Sequence, residues 1–284
     1  MATEEPYMPI HVGKALHPDV DLGIQGDDTG DNISLKNSSY CELTGMYWAW
    51  KNLKGVDVIG LCHYRRYFDF YGQCSWPLDI QKFPTSSLDK INLNIPEKII
   101  NNLKDGVAVV AMHKHYMTNL YLDYCRCHIS DDIRTMRKIF IETQPIEMQD
   151  AFYRIIYMNN KLIHYNMFIM TWHDFDEYCN WIFPILAEME RRTDISHYTP
   201  FQMRIFGYLA ERLFNVWLYA KRMKLFKRPI LWINDVPPRE DPSALCIWQR
   251  NVRGWINVRL SNPRLHDLGE SFGNFREEEI ETKN

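Results

Sequence analysis

Asp57-Val58-Ile59-Gly60-Leu61-Cys62-His63-Tyr64-Arg65-Arg66-Tyr67-Phe68 is an apolar strand that runs directly into a corner of paired arginines and aromatic rings. Val58, Ile59, Leu61 and Cys62 form a short run with β-branched members, bounded by Gly55. That pattern predicts a strand buried on both faces. His63, Tyr64, Arg65 and Arg66 follow at its carboxyl end, which is where open α/β sheets place their ligands. Guanidinium is a planar, permanently charged fork of donors, so two adjacent arginines suit a phosphate or a carboxylate. The competing use is packing on Tyr64 and Tyr67 while bridging surface carboxylates.

Outward from this strand, helices and strands alternate. Asn37, Ser38 or Ser39 can cap a helix reaching about Asn52, with Leu43, Met46, Tyr47 and Trp50 at helical spacing. Pro77, Pro84 and Pro96 break the stretch that follows the corner. A short helix over Pro96 to Leu103 leads into a buried strand at Val107 to Ala111. Ser130 caps a helix to about Thr143, Pro145 ends it, and another runs over 147–159. Leu162 to Met170, containing His164-Tyr165-Asn166, reads as a third apolar strand. Helices over 173–192 and 200–223 and a late strand at Ile230 to Ile233 complete the pattern. Alternation of this kind implies an α/β fold. Residues 1–238 are expected to form one domain. Residues 239–284 are expected to form an extension whose acidic tail, after Arg276, is disordered.

Composition narrows the class. The chain has 284 residues, of which 46% are hydrophobic, so a sizeable core is expected rather than disorder. Aromatics reach 14%, with 9 Trp and 16 Tyr, which suits ring stacking on sugars or nucleotides as well as core packing. A net charge of −3 argues against a surface that coats nucleic acid. Cysteines at 41, 62, 74, 125, 127, 179 and 246 are odd in number, several lie in apolar runs, and no signal-peptide pattern precedes them. A reduced, cytoplasmic protein is the expectation. No stretch approaches the roughly 18 apolar residues of a membrane span.

Several constellations invite chemistry. Gly26-Asp27-Asp28-Thr29-Gly30-Asp31-Asn32 is rich in aspartate, but a calcium loop needs a bidentate acid at its twelfth position. Counted from Asp27, that position is Ser38. The loop is instead expected to line a polar pocket or to cap the next helix. His113, His115, Cys125, Cys127 and His128 crowd together, yet Cys-x-Cys is poor zinc spacing, so packing is favoured over a metal. No Gly-x-Ser-x-Gly elbow or HExxH motif occurs. Candidates for a general base are Asp123, Asp174, Asp176 and Glu211. Glu211 stands out because it lies beside Arg212 in an otherwise apolar helical stretch; a purely structural Glu–Arg pair is the alternative. Lys221 to Arg228 alternates cations with apolar residues before Ile230-Leu231-Trp232. It suits an anionic membrane surface or a helix C-terminus complementing its dipole.

Tyr-Met-Pro-Ile-His-Val-Gly (7–13), Gly-Asp-Asp-Thr-Gly-Asp-Asn-Ile-Ser (26–34), Tyr-Cys-Glu-Leu-Thr (40–44), Gly-Leu-Cys-His-Tyr-Arg-Arg-Tyr-Phe (60–68), Tyr-Asn-Met-Phe-Ile-Met (165–170) and Ala-Glu-Arg-Leu-Phe-Asn-Val-Trp-Leu (210–218) occur in order. Together they resemble the bacterial family catalogued as domain of unknown function 4422, over roughly residues 7 to 235. Its members sit among capsular and exopolysaccharide glycosyltransferases, some assigned as galactosyl- or galactofuranosyltransferases. Members usually open with a short strand before the Tyr-x-Pro-Ile motif. Here Met1 to Glu5 stands in its place, so a sheet without that strand and a weaker seat for the nucleotide base are expected.

The resemblance implies a GT-A-like nucleotide-diphospho-sugar transferase fold, a single mixed sheet flanked by helices. It implies a UDP-sugar donor, a lipid-linked oligosaccharide acceptor and no nucleic-acid partner, with peripheral membrane contact through 221–232. Donor contacts are expected from Asp31, Asn32, His63, Tyr64, Arg65, Arg66, Asn166 and Arg212, with Glu211 as the base for an inverting transfer. Enzymes of this fold commonly carry Asp-x-Asp after the strand matching 57–63, where this chain has His63-Tyr64-Arg65. A divalent manganese or magnesium ion is therefore the one cofactor to consider, and Arg65 or Arg66 is expected to neutralise the leaving diphosphate directly. The alternatives are a sugar-nucleotide-binding protein without turnover and a metal-dependent hydrolase using the 113–128 cluster.

Overall fold

A computed structural model of the chain describes residues 2–235 and 243–261. Its centre is a four-stranded mixed sheet in the order Lys224–Arg228, Val107–Ala111, Phe168–Thr171, Val58–Leu61. The first two strands run parallel, and Phe168–Thr171 is antiparallel to both its neighbours. Ala108 to Ala111 and Phe168 to Met170 are buried, which explains their uninterrupted apolar sequence. Helices Ser130–Thr143, Ile146–Ile156, Trp172–Arg192 and Ile205–Ala220 share one hydrophobic core with this sheet. Three smaller sheets accompany it. The one that matters for the site joins Arg66–Phe68, Ile230–Ile233 and Ile80–Phe83.

The long helices sit where periodicity predicts them. Trp172–Arg192 starts at Thr171, whose hydroxyl accepts the Asp174 N–H at 3.3 Å, an N-cap that satisfies one orphan donor. Other elements depart from expectation. The helix expected from 37–39 to about Asn52 is two helices, Asn37–Tyr40 and Leu43–Asn52, broken at Cys41 with φ 53°. Leu162 to Met170 divides into Lys161–Ile163 and Phe168–Thr171, separated by a turn that holds Tyr165 and Asn166. Val58–Leu61 is not buried on both faces. It is the edge strand of the central sheet, with Gly60 exposed and no strand partner on its outer side among the described residues.

Lys224–Arg228 is neither a helix C-terminus nor a free amphipathic segment. It pairs parallel with Val107–Ala111, and Leu225 and Phe226 pack against the core. The apolar side chains of 221–232 thus serve the fold and are not presented to a membrane. Ile230–Ile233 forms the expected late strand. Beyond it, Ala244–Ser261 is a helix that packs on the body through Gly254 and Val258. The expected domain boundary at 238/239 and the acidic tail lie outside the described residues.

One side chain ties the two halves of the fold together. Asn215, buried in Ile205–Ala220, accepts the Ile163 N–H at 2.9 Å and donates to the Ile163 carbonyl at 3.0 Å. It closes both backbone valences of the residue that leads into the Tyr165 turn. Asn215→Ala strands a buried donor and a buried acceptor, each costing about 1–3 kcal/mol. Denaturant unfolding should therefore show a loss of roughly 2–6 kcal/mol; a change below about 0.5 kcal/mol would show that Asn215 is no clamp.

Candidate active site

The corner after Val58–Leu61 is a tight turn in which the Arg66 N–H donates to the His63 carbonyl at 3.0 Å. From there Arg66–Phe68 runs antiparallel to Ile230–Ile233, with Trp232 opposite Arg66. That pairing, between residues far apart in sequence, delivers an aromatic face to the arginine. The Arg66 guanidinium carbon lies 4.8 Å from the Trp232 ring centroid and 4.6 Å from that of Tyr165. Its Nε is buried without a hydrogen-bond partner, and none of the ion pairs among the described residues involves it. Arg65 lies 4.9 Å from the exposed ring of Tyr64. Both arginines are therefore held against aromatic surfaces; Arg65 also lies near the Asp235 carboxylate, whose pKa its charge helps to lower, whereas Arg66 has no ion-pair partner among the described residues.

Facing this corner is the turn between Lys161–Ile163 and Phe168–Thr171. Tyr165 and Asn166 both have left-handed backbones, φ 75° and 51°, a conformation costing about 1–3 kcal/mol for each non-glycine residue. Three side chains hold it. Glu211 Oε1 accepts the Tyr165 N–H at 2.5 Å, and His63 Nε2 donates to the Tyr165 carbonyl at 2.7 Å. The Asn166 amide donates to Glu42 Oε1 at 2.7 Å. Because a carboxylate only accepts, this bond fixes which end of the amide faces Glu42. Asn166 Oδ1 is left buried and unpartnered. Strain and an orphaned acceptor at one residue are features that gather at working sites.

Glu211 belongs to a relay. Its Oε1 lies 3.3 Å from His164 Nδ1, and His164 Nε2 lies 2.7 Å from the Tyr116 hydroxyl. Burial pushes the Glu211 carboxyl up, but the His164 ring, the Arg212 charge and the Tyr165 N–H outweigh it and bring the pKa down to about 2. A carboxylate held so strongly is a weak proton acceptor. The geometry thus assigns Glu211 to anchoring the turn, not to the base role expected from sequence. Arg212 is also displaced from its expected donor-binding role. It is buried, stacks 4.7 Å from the Tyr124 centroid and pairs with Asp123 Oδ2 at 3.3 Å.

The aspartate loop does not reach the corner either. The Asp31 backbone is bound at both its N–H and its carbonyl by the Asn52 amide, and Asn32 bonds Asp28 and Gly30 within the loop. Asn52 is the last residue of Leu43–Asn52 and Glu42 precedes the first, so the loop sits about 15 Å from Glu42 along that helix. Buried Asp27 is its hub, accepting from the Gly13 and Lys14 N–H groups and the Ser34 hydroxyl. In the His/Cys window, His128 packs against Tyr124, Phe201 and Tyr208, and no set of three metal ligands converges there among the described residues. His113 is pushed down to about 4 by burial and the nearby lysines.

Glu42 was missed. Its signal is faint: a lone acid at the start of the apolar stretch Leu43 to Trp50, near the positive end of a helix. It lines a cavity of about 620 Å³ whose walls include Val58–Leu61, Tyr7 to Ile10, His63 and Tyr64. A larger cleft of about 710 Å³, between Ile146–Ile156 and the end of Ile205–Ala220, contains none of the residues expected to bind a donor.

The folded Glu211 pKa lies below its usual value of 4.5, so its contribution to stability is complete above pH 4.5 and is lost as pH falls toward 2. Glu211→Gln should cost on the order of 3 kcal/mol at pH 7 and flatten the acid limb of the stability profile. Equal acid sensitivity in both proteins would exclude the anchoring role.

The fold is similar to the apo structure of the bifunctional glycosyltransferase WbbM, with a TM-score of 0.71 and 27% identity over 86% of this chain. The match takes up 46% of the WbbM chain, so this protein spans about half of that length. No curated protein matches the chain. The family model described as a domain of unknown function, DUF4422, matches residues 1–222. Its strand-to-arginine corner and left-handed turn are thus set on a GT-A-like α/β scaffold, and the chain belongs to the DUF4422 family.

Proposed function

We propose that this protein is a glycosyltransferase moving a hexose, with galactose or galactofuranose favoured, from a UDP-sugar to a lipid-linked oligosaccharide of a capsule or exopolysaccharide. The work would take place at the cytoplasmic face of the membrane; no helix among the described residues is long and apolar enough to cross one. Similarity to WbbM supports a transferase. The observation that carries the reading furthest is Arg66, a cation clamped between Tyr165 and Trp232 that makes no ion pair among the described residues. Guanidinium held flat and unneutralised is ready to meet a diphosphate. As the glycosidic bond breaks, negative charge gathers on that diphosphate, and preorganised donors on Arg66 and Arg65 stabilise it without reorganising.

A divalent cation does not fit the same place. His63-Tyr64-Arg65 supplies no carboxylate pair, and Glu42 and Glu211 are engaged by Asn166 and by the His164–Tyr165 turn. Hard cations take oxygen ligands, so the arginines carry the charge-stabilising role. Glu42, at the cavity wall and bonded to Asn166, is the group we assign to deprotonating the acceptor hydroxyl in an inverting transfer. His63 and Asn166 hold the donor-facing turn, and Tyr64 offers an exposed ring for stacking on the base or sugar.

Calorimetry with UDP and with uridine tests the arginine role. Arg66→Ala should weaken UDP binding by about 10- to 100-fold, the loss expected for a charged hydrogen bond, and leave uridine nearly untouched. Equal losses for both ligands would reject it. Glu42→Gln should lower kcat by about 10²- to 10⁴-fold with UDP affinity retained, in a donor screen read by mass spectrometry. If wild-type protein binds UDP yet turns over no nucleotide sugar, it is a binding protein and not a transferase.

A further inference from the structure

We propose that the Ala244–Ser261 helix docks on an anionic lipid bilayer through its outward face. This helix lies beyond the part of the chain matched by the family model. Leu245, Trp248, Trp255, Ile256 and Leu260 are all exposed, Trp248 by 62% and Leu260 by 72%. At 3.6 residues per turn they fall within an arc of about 140°. The opposite arc is the one that faces the body. A Cβ at Gly254 would collide with the Tyr116 carbonyl, Val258 is buried, and the Asn257 amide donates to the Met117 carbonyl at 3.1 Å. The helix therefore has two apolar sides. One is used by the fold, and the other is presented outward.

Charge selects the occupant. Arg250, Arg253 and Arg259 are the helix's only ionisable side chains apart from Cys246, and it carries no acid. Arg259 lies 4.0 Å from the Trp255 centroid, a tryptophan–cation pair set on the apolar face itself. Tryptophan and leucine at the boundary, with arginines beside them, match the acyl–headgroup interface of a membrane with anionic lipids. A second copy of this chain fits less well, because two such faces would bring together Arg253 and Arg259 of each, with no carboxylate on either helix to neutralise them. The placement also suits a lipid-borne substrate. Tyr116, against which Gly254 packs, bonds His164 of the turn-holding relay, so the helix is joined to the candidate site by direct contacts. The inference itself stands on surface chemistry alone and needs no sugar transfer.

Flotation of the full-length protein with vesicles tests it, in the absence of any nucleotide sugar. Vesicles of phosphatidylcholine and phosphatidylglycerol in equal parts should carry the protein up the gradient, pure phosphatidylcholine should carry far less, and added salt should weaken the binding. Trp248→Ser with Trp255→Ser should lower partitioning by about tenfold or more, and Arg253→Ala by about fivefold. Trp76→Ser, at an exposed tryptophan elsewhere, should leave it unchanged. Circular dichroism melting checks that each variant folds, and the salt and lipid dependence of the unaltered protein is decisive even if the double variant does not. Failure of the unaltered protein to bind anionic vesicles overturns the proposal, as does full binding by a folded double variant. A dimer dissociated by the same substitutions, without vesicle binding, would reassign the face to contact between copies.

Discussion

Two consecutive left-handed residues, Tyr165 and Asn166, are the constraint around which the site is arranged. L-residues leave this region unless something holds them, and here the holding groups come from three separate parts of the chain. Glu211 reaches from a core helix, His63 from the corner after an edge strand, and Glu42 from the start of another helix. Each bond to the turn is also a bond between elements. The turn is thereby both a strained point between two strands and the junction on which Glu211, His63 and Glu42 converge, with the Tyr165 ring against Arg66. Loosening Glu211 would release Tyr165, and with Tyr165 one of the two rings that clamp Arg66.

The arginine pair shows a related economy. A cation between two aromatic faces is stabilised by ring quadrupoles and keeps its N–H groups unspent. An acid placed there would hold the arginine just as firmly and would compete with any anionic ligand. Arg212 illustrates that other solution: it is buried against Asp123 and stacked on Tyr124. Two arginines of the same chain are thus sorted by their partners, one held by rings without an ion pair among the described residues and one paired in the core.

What could be read from the sequence follows from the range of the forces involved. Val107 to Ala111 and the 173–192 helix were legible because apolar spacing is local. The strand-to-arginine corner was legible as a place, through its motif and position. The edge status of Val58–Leu61 was not, because β-branched apolar runs look alike whether one or both sides are paired. Lys224–Arg228 deceived because cations alternating with apolar residues fit a strand as well as a helix end. Spacing across Cys41 hid a break that only the backbone reveals. Trp232 beside Arg66 and Glu42 beside Asn166 are contacts across more than a hundred residues, which no local pattern encodes. Glu211 and Arg212 were legible as a pair, yet adjacency on a helix points neighbouring side chains in different directions, and their roles diverge accordingly.

The central sheet ends differently on its two sides. Lys224–Arg228 closes one edge with exposed Lys224 and Lys227, charges that resist the approach of another strand. Val58–Leu61 leaves the other edge apolar and, among the described residues, without a strand partner. Growth of a sheet by repeated addition of copies needs a receptive edge on each side of every copy. The central sheet has one among the described residues, so strand pairing through this sheet can join two chains about a twofold axis but does not continue through its lysine-bearing Lys224–Arg228 edge.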